Sequence, residues 1–158
     1  MRRLAAAFHS APAALIAYIA KSMPGEIFIH RQRVTYAQCT IGNHVYHSRY
    51  LDIMEAARGE FMRALGYPLQ RLQNEDYIFP VVSLRMKFIA PARYDDELEI
   101  QLTLQNVSRL RLTVRHKIIG PKGQTFVEAE TDHVCTSIHE KPKRMPQELL
   151  AACEHYLI

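Results

Sequence analysis

The stretch "YAQCTIGNHVYHSRYLDIMEAARGEF", Tyr36–Phe61, decides the fold, because a polar turn runs directly into a long helical pattern. The pattern predicts a helix from about His47 to Leu65, with Gly66 in the position of a C-terminal capping glycine. At about 100° per residue, the mostly apolar side chains share one stripe, and Arg58 is the charged exception on it. The stripe comprises His47, Tyr50, Leu51, Met54, Ala57, Arg58, Phe61 and Leu65.

Five segments are rich in β-branched and aromatic residues or alternate between apolar and polar ones, which predicts strands. They are Glu26–Gln38, Tyr77–Ala90, Glu97–Gln105, Arg109–Ile118 and Thr125–Ile138. Antiparallel pairing of the third and fourth segments would set glutamates against basic residues. We expect residues 67–77 to form a loop and a short helix to run from Gln147 to about Tyr156. A long helix with an apolar face needs a sheet to cover that face. The order of the predicted helices and strands along the chain therefore predicts an α+β domain.

The composition fits one globular domain with a substantial core. The chain has 158 residues, 48% of them hydrophobic, and a formal net charge of +4. That mild charge suits a phosphate-bearing or acidic partner such as coenzyme A or an acidic carrier protein. No dense Lys/Arg cluster supports nucleic-acid binding. The three cysteines lack metal-site spacing, which fits the reducing cytoplasm and predicts neither a metal nor a redox cofactor.

The chain is expected to divide into three parts: an N-terminal helical extension (residues 1–25), a main domain (26–140), and a C-terminal linker and helix (141–158). The first part resembles a weak signal peptide or a membrane-surface helix, because Arg2 and Arg3 precede mostly apolar residues. However, Pro12 interrupts it and the remaining apolar stretch is too short to span a bilayer. We therefore expect a helix packed on the domain or on a second subunit, with membrane association as the alternative.

The segment "NHVYHSRYLDIMEAAR", Asn43–Arg58, resembles the signature "GxVYHxxYLxxxExAR" of the 4-hydroxybenzoyl-CoA thioesterase family, which includes the tol-pal-associated acyl-CoA thioesterases. The later stretch "FIAPARYDDELEIQ", Phe88–Gln101, is similar to a second family pattern, and the likeness covers about residues 27–138. The resemblance implies the hotdog fold, a curved antiparallel sheet wrapped around one long helix. It also implies hydrolysis of acyl-CoA or acyl carrier protein thioesters without a cofactor, in a homodimer or homotetramer with sites between subunits.

The sequence departs from this family at Thr40. Family members carry a catalytic aspartate there, seven residues before the position of His47, and a threonine hydroxyl is neither a base nor a strong nucleophile alone. The enediyne-polyene thioesterases are more similar at this point, since they lack the acid and carry asparagine instead. In that branch an arginine at the position of Arg58 is thought to polarise the thioester carbonyl, and the tyrosine matching Tyr50 lies near the site.

Arg58 and His47 are the first candidates for catalysis. A guanidinium in a dry site stabilises the negative charge that develops on a thioester oxygen. The alternative for Arg58 is an ion pair with a carboxylate, or a packed stem whose head reaches water. For His47 the expected group is the backbone N–H, because the first helical turn presents unpaired donors. Its imidazole as a general base is the alternative.

Four further candidates lie in the turn or on the helix. Thr40 and Asn43 can position water, or they can satisfy the backbone of the turn. His44 is a possible base or an exposed turn residue. Glu55 can orient Arg58, contact a neighbouring subunit, form a solvated ion pair or act as a base.

Two functions remain open from the sequence. The first is an acyl thioesterase whose water nucleophile is positioned without the family aspartate. The second is a catalytically silent hotdog protein that binds acyl thioesters or a protein partner. A hotdog dehydratase or hydratase would need a histidine and carboxylate pair in its own motif, and the sequence contains no match.

Overall fold

The computed structural model describes residues 25–158, so the expected N-terminal extension lies outside the described residues except for Gly25. A 3-10 turn spans Tyr36–Gln38. The other elements, in chain order, are β1 (Phe28–Arg33), β2 (Cys39–Thr40), β3 (His44–Val45), α1 (Arg49–Ala64), α2 (Leu69–Asn74), β4 (Val81–Phe88), β5 (Glu97–Val107), β6 (Arg111–Ile119), β7 (Thr125–Val134) and α3 (Gln147–Glu154).

Five antiparallel strands form one sheet in the order β1-β5-β6-β7-β4, and β2 and β3 form a separate short hairpin. The helix α1 packs across one face of this sheet, with contacts to β1 and β5. This is the predicted α+β arrangement of an antiparallel sheet with one long helix. The expected C-terminal helix is present as α3, which ends at Glu154 and packs on β5. Within residues 25–158, no helix has the length and apolarity that crossing a membrane requires.

Cross-strand ion pairs accompany the register of β1 and β5 on the outer face of the sheet. Glu97 and Glu99 of β5 stand opposite Arg33 and Arg31 of β1, with N–O distances of 3.0 and 2.7 Å. The expected pairing of these glutamates with the basic residues of β6 is therefore wrong, since Glu99 faces Ile119 there. The basic side chains of β6 face the acidic row of β7 instead.

Several predicted element boundaries are wrong for local reasons. The predicted strand Glu26–Gln38 already ends at Arg33, and a 3-10 turn follows. The fourth strand begins only after Pro80, because proline has no N–H to donate to a strand ladder. The expected loop over residues 67–77 contains the helix α2.

The buried face of α1 is rotated from the predicted stripe. Ile53 and Met62 are buried although the stripe did not include them, whereas Leu51 is 42% exposed and His47 is also exposed. Arg58 consequently lies at the margin of the buried face and not on its centre line. This rotation follows from the position of the sheet, which covers one side of the helix more fully than the other.

Phe61 fixes α1 on the sheet. Its side chain is fully buried, and its ring centroid lies 5.3 Å from that of Phe28 in β1 and 4.9 Å from that of Tyr156 after α3. Such tilted and edge-on pairs add to the free energy gained from apolar burial. The same ring therefore joins the central helix, the first strand and the C-terminal segment.

We predict that Phe61→Ala lowers the free energy of unfolding by about 3–5 kcal/mol, because it removes a large buried ring and leaves a cavity. Urea unfolding followed by circular dichroism would measure the change. Leu69→Ala is the control, since Leu69 is 66% exposed and its truncation should cost less than about 0.5 kcal/mol. Equal losses in the two variants would contradict this account of the core.

Candidate active site

The predicted turn is a tight hairpin between β2 and β3. Its loop, Ile41–Asn43, contains Gly42 at φ 84° and Asn43 at φ 57°, the left-handed region that glycine and asparagine tolerate best. The N–H of Asn43 donates to the carbonyl of Thr40 over 3.1 Å. Thr40 pairs directly with His44, and directly paired residues project on the same face with Cβ atoms about 5 Å apart. The structure thus brings these two predicted site residues together.

The segment that follows β4 holds this hairpin in place. The side-chain oxygen of Asn43 accepts a hydrogen bond of 3.1 Å from the N–H of Tyr94, and the Arg93 guanidinium donates to the carbonyl of Gly42 over 3.2 Å. The N–H of Val45 donates to the carbonyl of Ala92 over 2.9 Å. The oxygen of Asn43 therefore has a structural role, and its amide N–H groups remain available to a ligand.

Tyr50 ties the start of α1 to the same segment. It is buried, its hydroxyl oxygen accepts a hydrogen bond of 3.0 Å from the N–H of Ala92, and its ring packs against Phe88. Burial raises the pKa of Tyr50, against the opposing effect of this hydrogen bond. The hydroxyl therefore stays protonated at neutral pH and keeps one O–H donor free.

Backbone donors are exposed where the hairpin meets the helix. Ser48 caps α1 without a side-chain hydrogen bond to the helix, and within residues 25–158 no hydrogen bond uses the N–H of His47 or Ser48. The positive end of the helix dipole adds to the attraction of these groups for a polarised oxygen. The imidazole of His47 is exposed and lies against the ring of Tyr46.

Arg58 lies further along the helix than the other candidates. It is nine residues past Arg49, which corresponds to roughly 14 Å along the axis at 1.5 Å per residue. Its guanidinium forms an ion pair with Glu55, in which the arginine side chain is 14% exposed and that of the glutamate 69%. Within one chain the structure therefore gathers Thr40, His44 and His47 at the helix start and leaves Arg58 and Glu55 apart from them.

A buried polar cluster near Arg58 was not predicted. His116, Thr131 and His133 are all buried on the face of the sheet that α1 covers. Burial, with a smaller contribution from the positive charge of Arg58, lowers the pKa of His116 to about 3. The same two causes lower the pKa of His133 to about 4, against the opposing effect of its hydrogen bond to the carbonyl of Phe79. The alternation of β6 carries a signal for this cluster, because His116 falls between the inward residues Val114 and Ile118.

The cysteines and the potential metal ligands are the remaining reactive side chains among the described residues. Among residues 25–158, no group of three or more histidines, cysteines or acids is placed to hold a metal ion. Cys39, Cys135 and Cys153 are free thiols. Burial raises the pKa of Cys135 to about 11 and that of Cys153 to about 12, so both remain as inert thiols.

Comparisons with known proteins identify relatives of this chain. The family model of the thioesterase-like superfamily matches residues 34–153. The acyl-CoA thioester hydrolase YbgC of Escherichia coli O6:H1 is 32% identical over 120 residues, which cover 75% of this chain and 90% of that protein.

Two solved structures are similar to this chain in fold. The hypothetical protein TT1821 from Thermus thermophilus has a TM-score of 0.77 at 30% identity and covers 84% of this chain and 99% of its own. Slr0204, a 1,4-dihydroxy-2-naphthoyl-CoA thioesterase from Synechocystis, has a TM-score of 0.74 at 25% identity. The match covers 81% of this chain and 96% of Slr0204. The prediction of a hotdog fold is confirmed.

The two buried histidines should make stability depend on pH. Their pKa values in the folded chain lie below the ordinary 6.5, so the unfolded state takes up protons first as the pH falls. We predict that the free energy of unfolding decreases by about 2 kcal/mol per pH unit between pH 6 and 5. Urea titrations across this range would measure the slope. His116→Gln should halve it, the exposed His139→Gln should leave it unchanged, and equal slopes in all three proteins would contradict the assignment.

Proposed function

Because the chain belongs to the thioesterase-like superfamily, we propose that it hydrolyses an acyl thioester of coenzyme A or of an acyl carrier protein by attack of water. The relative from Escherichia coli is named as an acyl-CoA thioester hydrolase, and Slr0204 as a thioesterase for an aromatic acyl-CoA. The net charge of +4 is favourable for the phosphates of coenzyme A and for an acidic carrier. The free cysteines fit a reducing compartment, and we place the protein in the cytoplasm.

The unpaired N–H groups at the start of α1 are the observation that carries this proposal. A thioester oxygen at the N–H of His47 would accept a hydrogen bond and lie at the positive end of the helix dipole. The donors are fixed before substrate arrives, so they stabilise the oxyanion without reorganisation. Tyr50 fixes the helix start against Ala92 and so keeps these donors in place.

The hairpin supplies groups for the attacking water. Thr40 and His44 share one face, so a water held by the hydroxyl can pass its proton to an imidazole. His44 is the base favoured by this pairing, and the imidazole of His47 is the second choice. The amide N–H groups of Asn43 can orient the water or the carbonyl. The proton returns to the thiolate leaving group, which departs as free thiol.

A second copy of the chain would bring Arg58 to this site. Tyr50 contacts Phe88 at the end of β4, whereas Arg58 lies near His133, which pairs with Val81 at the start of β4. The strand β4 is at the edge of the sheet, and antiparallel pairing with its own copy would exchange the two ends. Arg58 of the partner subunit would then reach the level of the hairpin and stabilise the oxyanion.

The exposed side chains of β4 support such pairing. Val82, Leu84 and Phe88 are apolar and at least 41% exposed on a strand with one unpaired edge. An isolated chain would leave this edge open to non-specific association, and a two-fold dimer would cover it. We propose a homodimer through β4 as the active unit, with a homotetramer as its further assembly.

A catalytically silent protein that binds acyl thioesters is the second candidate. The observation in its favour is Thr40, because an exposed threonine stands where the resembling family carries a carboxylate. Both candidates use the same N–H donors for binding, and turnover separates them. Hydrolysis of a panel of acyl-CoA and acyl carrier protein thioesters, followed by release of free thiol, would decide between them.

We predict that His47→Pro lowers kcat/KM on the best panel substrate about a hundredfold, because proline removes one oxyanion donor. His47→Ala keeps the N–H and should retain most activity, which separates the backbone donor from the imidazole. Thermal unfolding of both variants controls for damage to the helix start. Similar losses in the two variants would contradict the role of the N–H, and no turnover of any substrate by the unmodified protein would contradict the enzyme.

Subunit mixing tests whether Arg58 acts across the dimer. We predict that Arg58→Ala and His47→Pro are each nearly inactive alone, and that their co-expression recovers about a quarter of normal activity through one intact site in each mixed dimer. Free-thiol release from the purified mixture would measure this recovery. Arg63→Ala is the control for Arg58, since Arg63 forms an exposed ion pair with Glu60 at the same helical spacing. No recovery in verified mixed dimers would contradict the shared site.

A further inference from the structure

The buried cluster of His116, Thr131 and His133 has a fixed direction of hydrogen bonding. Nδ1 of His133 lies 3.0 Å from the carbonyl oxygen of Phe79, so this nitrogen carries the proton. His133 is neutral, because burial lowers its pKa to about 4, and its Nε2 is therefore a bare acceptor. The hydroxyl of Thr131, 2.9 Å away, donates to that Nε2.

This direction leaves one acceptor of His116 unused. The hydroxyl of Thr131 has given its only proton to His133, so its oxygen accepts from Nε2–H of His116 over 3.2 Å. The other ring nitrogen, Nδ1, must then be an unprotonated acceptor. It is buried and has no hydrogen-bond partner within residues 25–158. Buried acceptors are rarely left unpaired, so this nitrogen indicates a donor that the described contacts do not include.

Arg58 is a charged donor near enough to this cluster to affect its electrostatics. It is the charged side chain that most affects the pKa of His116, and it has five N–H donors, of which Nη2 contacts the exposed carboxylate of Glu55. Its side chain is 14% exposed, whereas that of Glu55 is 69% exposed. Exchange of the carboxylate for the ring nitrogen requires a change of side-chain rotamer at Arg58.

We infer that Nδ1 of His116 accepts a hydrogen bond from Arg58 in the working enzyme, which makes His116 a positioning residue for that arginine. This inference rests on the proposed function of Arg58 as an oxyanion donor. A neutral imidazole holds the guanidinium without cancelling its charge, whereas the carboxylate of Glu55 neutralises it. The series of hydrogen bonds from Phe79 through His133 and Thr131 keeps the lone pair of Nδ1 of His116 free for this contact.

The inference predicts that His116 and Arg58 act as one unit in catalysis. His116→Leu should lower kcat about tenfold with little change in KM, the effect of losing one hydrogen bond to a charged group. In an Arg58→Met background the same change should have almost no further effect. His139→Leu is the control, because His139 is exposed in the loop after β7 and should not alter kcat. If the loss of kcat in the double variant equalled the product of the losses in His116→Leu and Arg58→Met, the inference would be overturned.

A spectroscopic measurement tests the contact without turnover, so failure of the proposed function would be distinguishable. In ¹⁵N-histidine-labelled protein, Glu55→Gln should release Arg58 and move the Nδ1 resonance of His116 towards the hydrogen-bonded range. Glu55→Gln combined with Arg58→Met should abolish that movement, and Glu60→Gln, the matched exposed pair, should not cause it. If the Nδ1 resonance of His116 were the same with and without Arg58→Met in folded protein, the inference would be overturned.

Thr131 provides a second pair of variants if His116→Leu fails to fold. Thr131→Ser keeps the hydroxyl that fixes the histidine chain, and Thr131→Val removes it while preserving the shape of the side chain. We expect normal kcat for the serine variant and about a tenfold loss of kcat for the valine variant. In the Arg58→Met background, Thr131→Val should cause no further loss. Equal kcat in the two folded variants would overturn the role of the chain.

Discussion

The backbone of Ala92 is the constraint on which the arrangement of the site depends. Its N–H donates to the hydroxyl of Tyr50 and its carbonyl accepts from the N–H of Val45, so one peptide segment holds both the helix start and the hairpin. Ala92 is fully buried, and no water can replace either partner. The free donors of the helix and the paired side chains of the hairpin are consequently held in one relative position before any substrate binds.

The long helix, most strands and the turn before the helix could be predicted from the sequence because they rest on local patterns, and the hotdog arrangement followed from the resemblance of Asn43–Arg58 to a family signature. A 3.6-residue period from His47 to Leu65 specifies the helix, and the two-residue alternation of β5 and β6 specifies buried strands. The hairpin follows from Gly42 and Asn43, which tolerate the left-handed backbone. These features depend on neighbours in the chain, so they can be inferred without knowledge of distant contacts.

The parts that could not be predicted depend on distant contacts. The rotation that buries Ile53 and exposes Leu51 is set by where the sheet covers the helix, and the register of β5 against β1 joins segments that are far apart in the chain. The buried histidines were missed for a related reason. His116 occupies an inward position by alternation, but its partner Thr131 is 15 residues away and joins it only when β6 and β7 pair.

The two ends of the described chain meet beside β5. The N–H of Glu26 donates to the carbonyl of His155 over 3.0 Å, and Leu104 exchanges backbone hydrogen bonds with Tyr156 and Ile158. The backbone path of the described residues is therefore nearly closed. The same strand pairing could be formed by a chain that starts at a different point along this path. In a variant that lacks residues 1–24, residues 25 and 158 could be linked and the backbone opened at the exposed turn after β6 while every described strand pairing is kept. A circular permutant of this kind would show how much of the assembly pathway depends on where the chain starts.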